Sequence, residues 1–567
     1  MSVVAVTLGR MDVVLAPVAG AVGICRLLED GTAGARETVG WAELPTRVRE
    51  LETQHPRWLW ADTGTVYPRL LEASVRVGRC RDLRLCHAIL SRSSYLRAPL
   101  TSAADERWQP VDPVLDDTEP TLLDLPATGL EVSMDEALAE HDRQQRAVEQ
   151  SEQAARLRLL LAAESAGALV AAELKHVGLP WDEQVHDRQL AALLGPRPLP
   201  GGRPVKLEAL AEQVRAHLAA PALNPDSPPD LLRALHTAGV EVQTTRQWEL
   251  ERISHPVVEP LLEYKKLSRL LTANGWAWMA AWVSDGRFHP DYVPAGVVTG
   301  RWATRGGGAL QLPKQIRAAV VADPGHRLVV ADAAQLEPRI LAAMSHDELM
   351  ARASRGRDLY QSLVDQQIVD TRAHAKLAML GALYGGTSGE AGQLMPRLLK
   401  AFPRATATVE QAARAGERGE VVTTWLGRSS RPVTSEWREA QLQASQPEAT
   451  PSDQRRARQR ARDWGRFTRN FVVQGTAAEW ALCWLADLRL RLFRLTTPDG
   501  ARPELVYFLH DEVMVHSPAA LTGEVRAAIE AAARQAGELL FGSFPVEFAL
   551  DVRCVDNYAQ ASEPDPK

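Results

Sequence analysis

Residues 505 to 518, LVYFLHDEVMVHSP, constrain the fold more tightly than any other stretch of this chain. Val506 to Leu509 and Val513 to Val515 are apolar runs too short for helices, so they predict two strands joined by a tight turn, with His510, Asp511 and Glu512 at the bend. Acidic residues are ordinary in solvated turns, so the hairpin alone identifies no site. A second strand ending in an acid changes its meaning. In HRLVVADAAQLEPRILAAMS, residues 326 to 345, Leu328 to Ala331 read as a buried strand, Asp332 stands at its end and a helix follows. Taken by itself, Asp332 fits a helix cap. Two acids delivered by separate strands of one sheet can instead hold two divalent cations about 3.5 to 4 Å apart, which activates an attacking oxygen and neutralises a leaving one. Mg²⁺ suits such a site, and the lack of clustered His and Cys disfavours zinc.

Between the two strands lies DTRAHAKLAMLGALYGGTSG, residues 370 to 389, where Arg372, Lys376, Leu380 and Tyr384 recur every fourth residue and form one stripe on a helix. Twelve residues at 1.5 Å each span about 18 Å, the reach of an extended nucleoside triphosphate. The stripe predicts a cradle with phosphates at Arg372 and Lys376 and the base near Tyr384. An amphipathic core helix with a basic end is the alternative, and Gly381, Gly385 and Gly386 count against it because glycine weakens a helix whose only task is packing. A further stripe, Arg466, Asn470 and Gln474 in RFTRNFVVQGTAAEW, carries donors suited to the minor groove, where A·T and T·A pairs look nearly alike.

At 567 residues the chain is too long for one core. Residues 109 to 128, rich in Pro and Asp, predict a linker after a small α/β unit with strands at Val3 to Leu8, Asp12 to Leu15 and Trp58 to Ala61. One long helical pattern runs from about 134 to 178, and breaks fall at 195 to 204, 221 to 229 and 443 to 453. Trp276, Trp278 and Trp282 read as core residues. The five cysteines form no C-x-x-C pair, which argues against a zinc site or disulfide framework and fits a reducing compartment. Arg10 and Asp12 interrupt the apolar N-terminus too early for a signal peptide, and no run is long enough to span a bilayer. The net charge of −6 does not announce a nucleic-acid binder, but binding uses local patches. One such patch is RRARQRARDWGRFTR, residues 455 to 469, with seven arginines opposed by Asp463 alone.

Together and in this order these segments resemble the family A DNA polymerases. TGRW (299 to 302) resembles the family's TGR segment, DAAQLEPR (332 to 339) motif A, RAHAKLAMLGALYGG (372 to 386) the fingers helix of motif B, NFVVQGTAAEW the QGTAA helix and HDE (510 to 512) motif C. The resemblance implies a multidomain chain of α/β and α+β class: a right-hand polymerase of palm, fingers and thumb, preceded by a small RNase H-like α/β exonuclease-type domain. The implied divisions are 1–125 for the exonuclease-like domain, 126–300 for a linker, the start of the palm and the helical thumb, 301–350 for palm with motif A, 351–455 for fingers, and 456–567 for palm with the QGTAA helix and motif C.

The same resemblance implies that Asp332 and Asp511 bind the metals with the Ala333 carbonyl, and that Glu512 is an accessory acid beside the primer end. Glu337 becomes the gate that excludes a ribose 2′-hydroxyl. Arg372 and Lys376 grip the triphosphate, with Lys376 a proton donor to pyrophosphate, Leu380 meets the sugar and base, and Tyr384 guards the templating base. Arg301, Arg466, Asn470, Gln474 and His510 contact primer and template near the terminus. Two Mg²⁺ ions, replaceable by Mn²⁺, dNTPs and primer–template DNA are the implied ligands of a cytoplasmic, nucleoid-associated monomer without membrane contact.

Two positions depart from the family pattern: Ala333 stands where a tyrosine usually follows the motif A aspartate, and Leu380 where the fingers stripe carries an aromatic ring. The front domain departs further. Its opening strands offer no D-x-E pair, counting back from Asp82 puts Thr65 where an acid is expected, Asp62 substitutes only in a shifted register, and no Y-x-x-x-D follows in 134 to 160. The expectation is an exonuclease fold without exonuclease activity, and no room for a 5′ nuclease domain. A non-catalytic DNA-binding remnant and a single-subunit RNA polymerase-like enzyme are the alternatives; retention of both aspartates opposes the first and Glu337 the second.

Overall fold

The computed structural model describes residues 11–98, 100, 105–108, 130–199, 201–356, 358–386 and 389–562. The strand expected at Val3 to Leu8 and the linker expected at 109 to 128 lie outside them. Contacts divide the chain into two compact units, one formed by Met1–His176, Tyr292–Ala303 and Val329–Arg553, the other by Val177–Asp291, Thr304–Leu328 and Cys554–Lys567.

The first unit opens with strands Asp12–Val18 (β1), Ala21–Leu27 (β2), Ala33–Gly40 (β3), Arg57–Trp60 (β4) and Arg79–Asp82 (β5) in the order β3-β2-β1-β4-β5. β1 to β3 are antiparallel, while β1, β4 and β5 run parallel. Successive side chains of a strand point to opposite faces. Val13 and Leu15 therefore pack with helices Leu44–Glu52 (α1) and Thr63–Glu72 (α2), and Val14 and Ala16 with Leu83 of Leu83–Leu90 (α3) and with Met134 and Ala137 of Met134–Glu149 (α4). Burial on both faces explains why β1 reads as a continuous apolar run. Its antiparallel partner among the described residues is β2, which the sequence reading did not identify as a strand.

The single helical pattern from 134 to 178 is two helices. α4 ends at Glu149 and Ala154–Val177 (α5) begins after a turn in which the Ser151 hydroxyl accepts from the Gln153 amide at 3.1 Å and donates to the Tyr95 carbonyl at 2.6 Å. A serine that bonds the backbone locally competes with the helical ladder, which the apolar periodicity does not register. α5 stops where expected, at Gly178 with φ +73°.

The rest of this unit contains most of His326–Ala333 (β6), Leu336–Met344 (α6), Arg372–Tyr384 (α7), Pro403–Glu417 (α8), Pro451–Leu492 (α9), Glu504–Leu509 (β7), Glu512–Pro518 (β8), Thr522–Phe541 (α10) and most of Leu550–Val555 (β9). The strands form a sheet in the order β7-β8-β6-β9. At 42 residues α9 is about 63 Å long, and it packs against α8 and α10. Gly475 lets it approach the chain at Thr424, because a Cβ there would lie 2.4 Å from Thr424 Cγ2.

The second unit is mainly helical. Helices Glu183–Leu194, Val205–His217, Pro228–Thr237 and Val258–Asn274 are separated near the expected breaks, and Trp276 and Trp278 are buried as expected, the Trp278 indole donating to the Gly307 carbonyl at 2.8 Å. Among the described residues, no helix is long and apolar enough to cross a membrane.

Candidate active site

β7 and β8 pair with Leu509 opposite Glu512, so His510 and Asp511 alone make the turn, His510 with φ +55°. This is the expected hairpin, with Asp511 at its tip and Glu512 on the first residue of β8. The central strands β8 and β6 bring Asp511 to Asp332: the Ala333 amide donates to the Asp511 carbonyl oxygen at 2.8 Å. Burial, then the neighbouring Asp332 charge, pushes the Asp511 carboxyl up to about 7. Asp332 is also raised, by burial and by Asp551 on β9. Two carboxylates forced together and partly desolvated are primed for a counter-charge. Among the described residues no three acidic, His or Cys side chains converge as a complete cage. The donor set is instead a carboxylate pair beside main-chain oxygens, which fits Mg²⁺, an ion that keeps waters and takes remaining ligands from substrate phosphates.

Beside the pair opens a cavity of about 220 Å³ whose lining includes Arg301, Glu337, Leu380, Tyr384, His510 and Asp511. Glu337, on the first turn of α6, accepts from both the Arg301 guanidinium and the Tyr384 hydroxyl. Burial and the Glu337 carboxylate raise the Tyr384 phenol, so it stays protonated and able to donate. Burial and then Arg301 lower His510 to about 4, leaving it neutral near pH 7. Tyr384 closes α7, and Gly385 follows with φ +73°, so the expected glycine-rich helix holds Gly381 but ends before the other two.

Arg372 and Lys376 lie on α7 but outside this lining. Arg372 Nε pairs with Asp358 Oδ2 at 2.7 Å, and Lys376 is exposed. Asp358 also accepts from Gln335 Nε2 at 3.0 Å, which links motif A to the start of α7. On α9, Gln474 hydrogen-bonds Tyr384 and Arg466 ion-pairs with Asp463, while Asn470 Oδ1 is buried with no hydrogen-bond partner among the described residues. Gly385 sits against Arg466, whose Cγ would be 3.1 Å from an added Cβ.

Several contributors were not singled out in the sequence. The Tyr292 hydroxyl donates to the Phe508 carbonyl at 2.8 Å and accepts from the Phe508 amide at 3.2 Å, clamping β7 one residue before its end. Trp302 packs between Tyr292 and Phe508 at ring-centroid distances of 5.3 and 4.9 Å. Arg339, 1% exposed, donates to the carbonyls of Ala334, Ser354, Glu547 and Gly356, fixing the turn that follows Ala333. The neighbouring tryptophan of TGRW and the arginine of LEPR were signals of these roles.

In the front domain, parallel pairing of β4 with β5 sets Trp60 opposite Asp82, and Asp62, just after β4, lies near enough for its charge to add to the burial that raises the Asp82 carboxyl. Asp62 caps α2 through the Gly64 amide and pairs with Arg84 at 2.7 Å, while Asp82 accepts from the Thr63 and Leu85 amides. Ala16 of β1 and Ala61 belong to an apolar cluster with Met134 and Ala137 of α4.

Asp511 at the tip of a hairpin, Asp332 on the strand beside it in a four-stranded sheet, and a neighbouring cavity walled by a long helix are the arrangement of a right-hand polymerase fold. The comparisons agree. The model of DNA polymerase family A matches residues 205–560, more than half of the sequence, and the chain belongs to that family. It is 28% identical over 331 residues to the thermostable DNA polymerase I of Thermus aquaticus, covering 54% of this chain and 36% of that protein. To DNA polymerase I of Chloroflexus aurantiacus it is 28% identical over 317 residues, covering 51% and 31%. The matches thus span about a third of these relatives' own length. Its fold is similar to that of the polymerase domain of Pol1 from M. smegmatis, solved with DNA primer-template and dNTP, with a TM-score of 0.67, 18% identity and coverage of 98% of this chain and 96% of that one.

Proposed function

We propose that the protein is a template-directed DNA polymerase that adds dNTPs to a primer 3′-hydroxyl. The observation that carries this reading is the juxtaposition of Asp332 and Asp511 through the Ala333–Asp511 backbone hydrogen bond, at the mouth of a cavity closed by Glu337 and Tyr384. In this reading Asp332, Asp511 and the Ala333 carbonyl hold two Mg²⁺ ions, with Mn²⁺ able to replace them, and Glu512 stands beside the primer end. The bound ions supply charge neutralisation at the attacking and leaving oxygens.

The side chains bind and orient. Glu337, held by Arg301 and Tyr384, is a fixed wall where a sugar 2′-hydroxyl would need space. Tyr384 and Leu380 bound the nucleoside end, and the neutral His510 offers a hydrogen bond beside Arg301. Arg372 and Lys376 take the triphosphate. Arg372 then exchanges Asp358 for phosphate, an exposed ion pair that costs little to break. Lys376 donates a proton to pyrophosphate. Asn470, Gln474, Arg466 and Arg301 contact primer and template, the unpartnered Asn470 Oδ1 awaiting a minor-groove donor. Such chemistry asks little covalent work of the protein, since in-line positioning and charge stabilisation supply most of the rate.

We assign the palm to the sheet β7-β8-β6-β9, the fingers to the region of α7 and α8, and the thumb to the helices of the second unit. The front domain keeps an exonuclease-like sheet without nuclease activity. Asp62 is neutralised by Arg84, and the β1 face carries Ala16 under an apolar helix. No membrane contact and a monomeric, cytoplasmic enzyme complete the reading. Primer extension with each dNTP in Mg²⁺ tests it: incorporation directed by the template is expected, and no incorporation by the folded wild-type protein would refute it.

A further inference from the structure

Of the arginines in residues 455 to 469, Arg469 is the one that folding buries, at 5% exposed. It sits on α9 where that helix packs against both α7 and α8. Its Nη1 donates at 2.9 Å to the Ala382 carbonyl in the last turn of α7, and its Nη2 pairs with Glu410 on α8. The acceptor is a helix-end carbonyl. A helix leaves its last carbonyls without intrahelical partners, and here the Gly385 and Gly386 amides both turn back to Gly381. Arg469 gives Ala382 a donor and sets a cation at the negative end of α7. Gly385, with φ +73°, lets the two helices close up at this point, where an added Cβ would lie 3.8 Å from Arg469 Cδ.

Holding three helices together does not by itself call for an arginine. A buried ion pair gains little over well-packed apolar side chains, because both charges must first leave water, and Glu410 stays partly exposed. What an apolar side chain cannot supply is the bond to Ala382. That bond fixes α7 just before Tyr384, whose phenol meets Glu337 and Gln474 at the cavity. Gln474 follows Arg469 on the same helix, so α9 holds the end of α7 both by the ring and by the backbone behind it.

We infer that Arg469 is a positioning residue for Tyr384, and that its bond to the Ala382 carbonyl sharpens the choice between matched and mismatched dNTPs. The inference rests on the polymerase reading, in which Tyr384 bounds the nucleoside end of the site. Arg469 is not part of the cavity lining and acts through the backbone of α7.

The test is single-nucleotide insertion of matched and mismatched dNTPs, with kcat and KM measured for each. Arg469→Met fills similar space and leaves Glu410 able to hydrate, so the fold should hold. Its kcat for the matched dNTP should stay within about twofold of wild type, while the ratio of matched to mismatched kcat/KM falls by about tenfold, the factor one hydrogen bond can carry. Arg469→Lys, which keeps a donor, should recover part of the ratio, and Glu410→Gln, which leaves the Ala382 bond in place, should retain it. In a Tyr384→Ala background Arg469→Met should lower the ratio no further, as expected of two residues acting as one unit. An unchanged ratio in Arg469→Met would overturn the inference. An equal loss in Glu410→Gln would overturn it in favour of the ion pair between helices, and a further loss in the Tyr384→Ala background would overturn it in favour of a general loosening of the site. Extension of a matched primer by wild type tests the polymerase reading separately, so the two fail independently.

Discussion

Tyr384 donates its hydroxyl to Glu337, tying the end of the helix Arg372–Tyr384 to the first turn of the helix that follows Asp332. Arg301 holds the same carboxylate. Glu337 is therefore held from two sides. Glu337→Ala should raise incorporation of rNTPs relative to dNTPs by at least about tenfold, because removal of a fixed wall relieves a steric penalty worth a few kcal/mol. Single-nucleotide extension with matched rNTP and dNTP pairs measures the ratio.

Leu380 lines the cavity where an aromatic ring is absent. Leu380→Phe should lower the KM for dNTPs by about two- to tenfold, the range set by aromatic contacts of about 0.5 to 1.5 kcal/mol, with little change in kcat. Steady-state extension kinetics would report the split.

The Asp511 carboxyl titrates at about 7 in the metal-free protein, against an ordinary value near 4. A raised folded-state value favours the folded protein below the unfolded-state value and loses that contribution as pH rises through 7. Without divalent cations, Asp511→Asn should therefore gain stability over wild type between pH 5 and pH 8, as read from urea midpoints. Mg²⁺ should displace the proton, so its apparent affinity should rise across the same interval.

The front domain should not trim DNA. A 3′-labelled strand in Mg²⁺ should remain intact with wild type, and Asp62→Ala should change nothing, because Arg84 already neutralises Asp62 and Ala16 offers no ligand. Gel analysis of the labelled strand gives the answer directly; trimming abolished by Asp62→Ala would contradict it.

Arg489 is 3% exposed and ties α9 to the front domain through Glu173, Tyr67 and the carbonyls of Val77 and Gly78. Arg489→Ala leaves Glu173 buried without its cation and should cost about 3 to 5 kcal/mol. Chemical denaturation measures the loss, and Glu173→Gln should be milder because the amide still accepts a hydrogen bond.

Much of this was legible in the sequence because strands and helices announce themselves by period. The HDE hairpin lay between two short apolar runs, and the fourfold recurrence from Arg372 to Tyr384 marked one helix face. The pairing of Asp332 with Asp511 followed from chemistry, since isolated acids at strand ends gain meaning only together. What escaped the reading has no local pattern. Asp358 sits in a loop beside Arg372 only in the folded chain, Tyr292 meets Phe508 across more than 200 positions, and Asp551 comes near Asp332 because β9 borders β6. The turn at Ser151 was hidden by apolar spacing that runs through it, and Asp62 comes near Asp82 because β4 and β5 pair in parallel.

The most direct test of the central claim is template-directed extension by Asp332→Ala and Asp511→Ala, with primer–template affinity measured on the same preparations. Both variants should bind DNA as wild type does and lose incorporation by several orders of magnitude. Extension at a wild-type rate by either variant would contradict the assignment of the carboxylate pair as the catalytic centre.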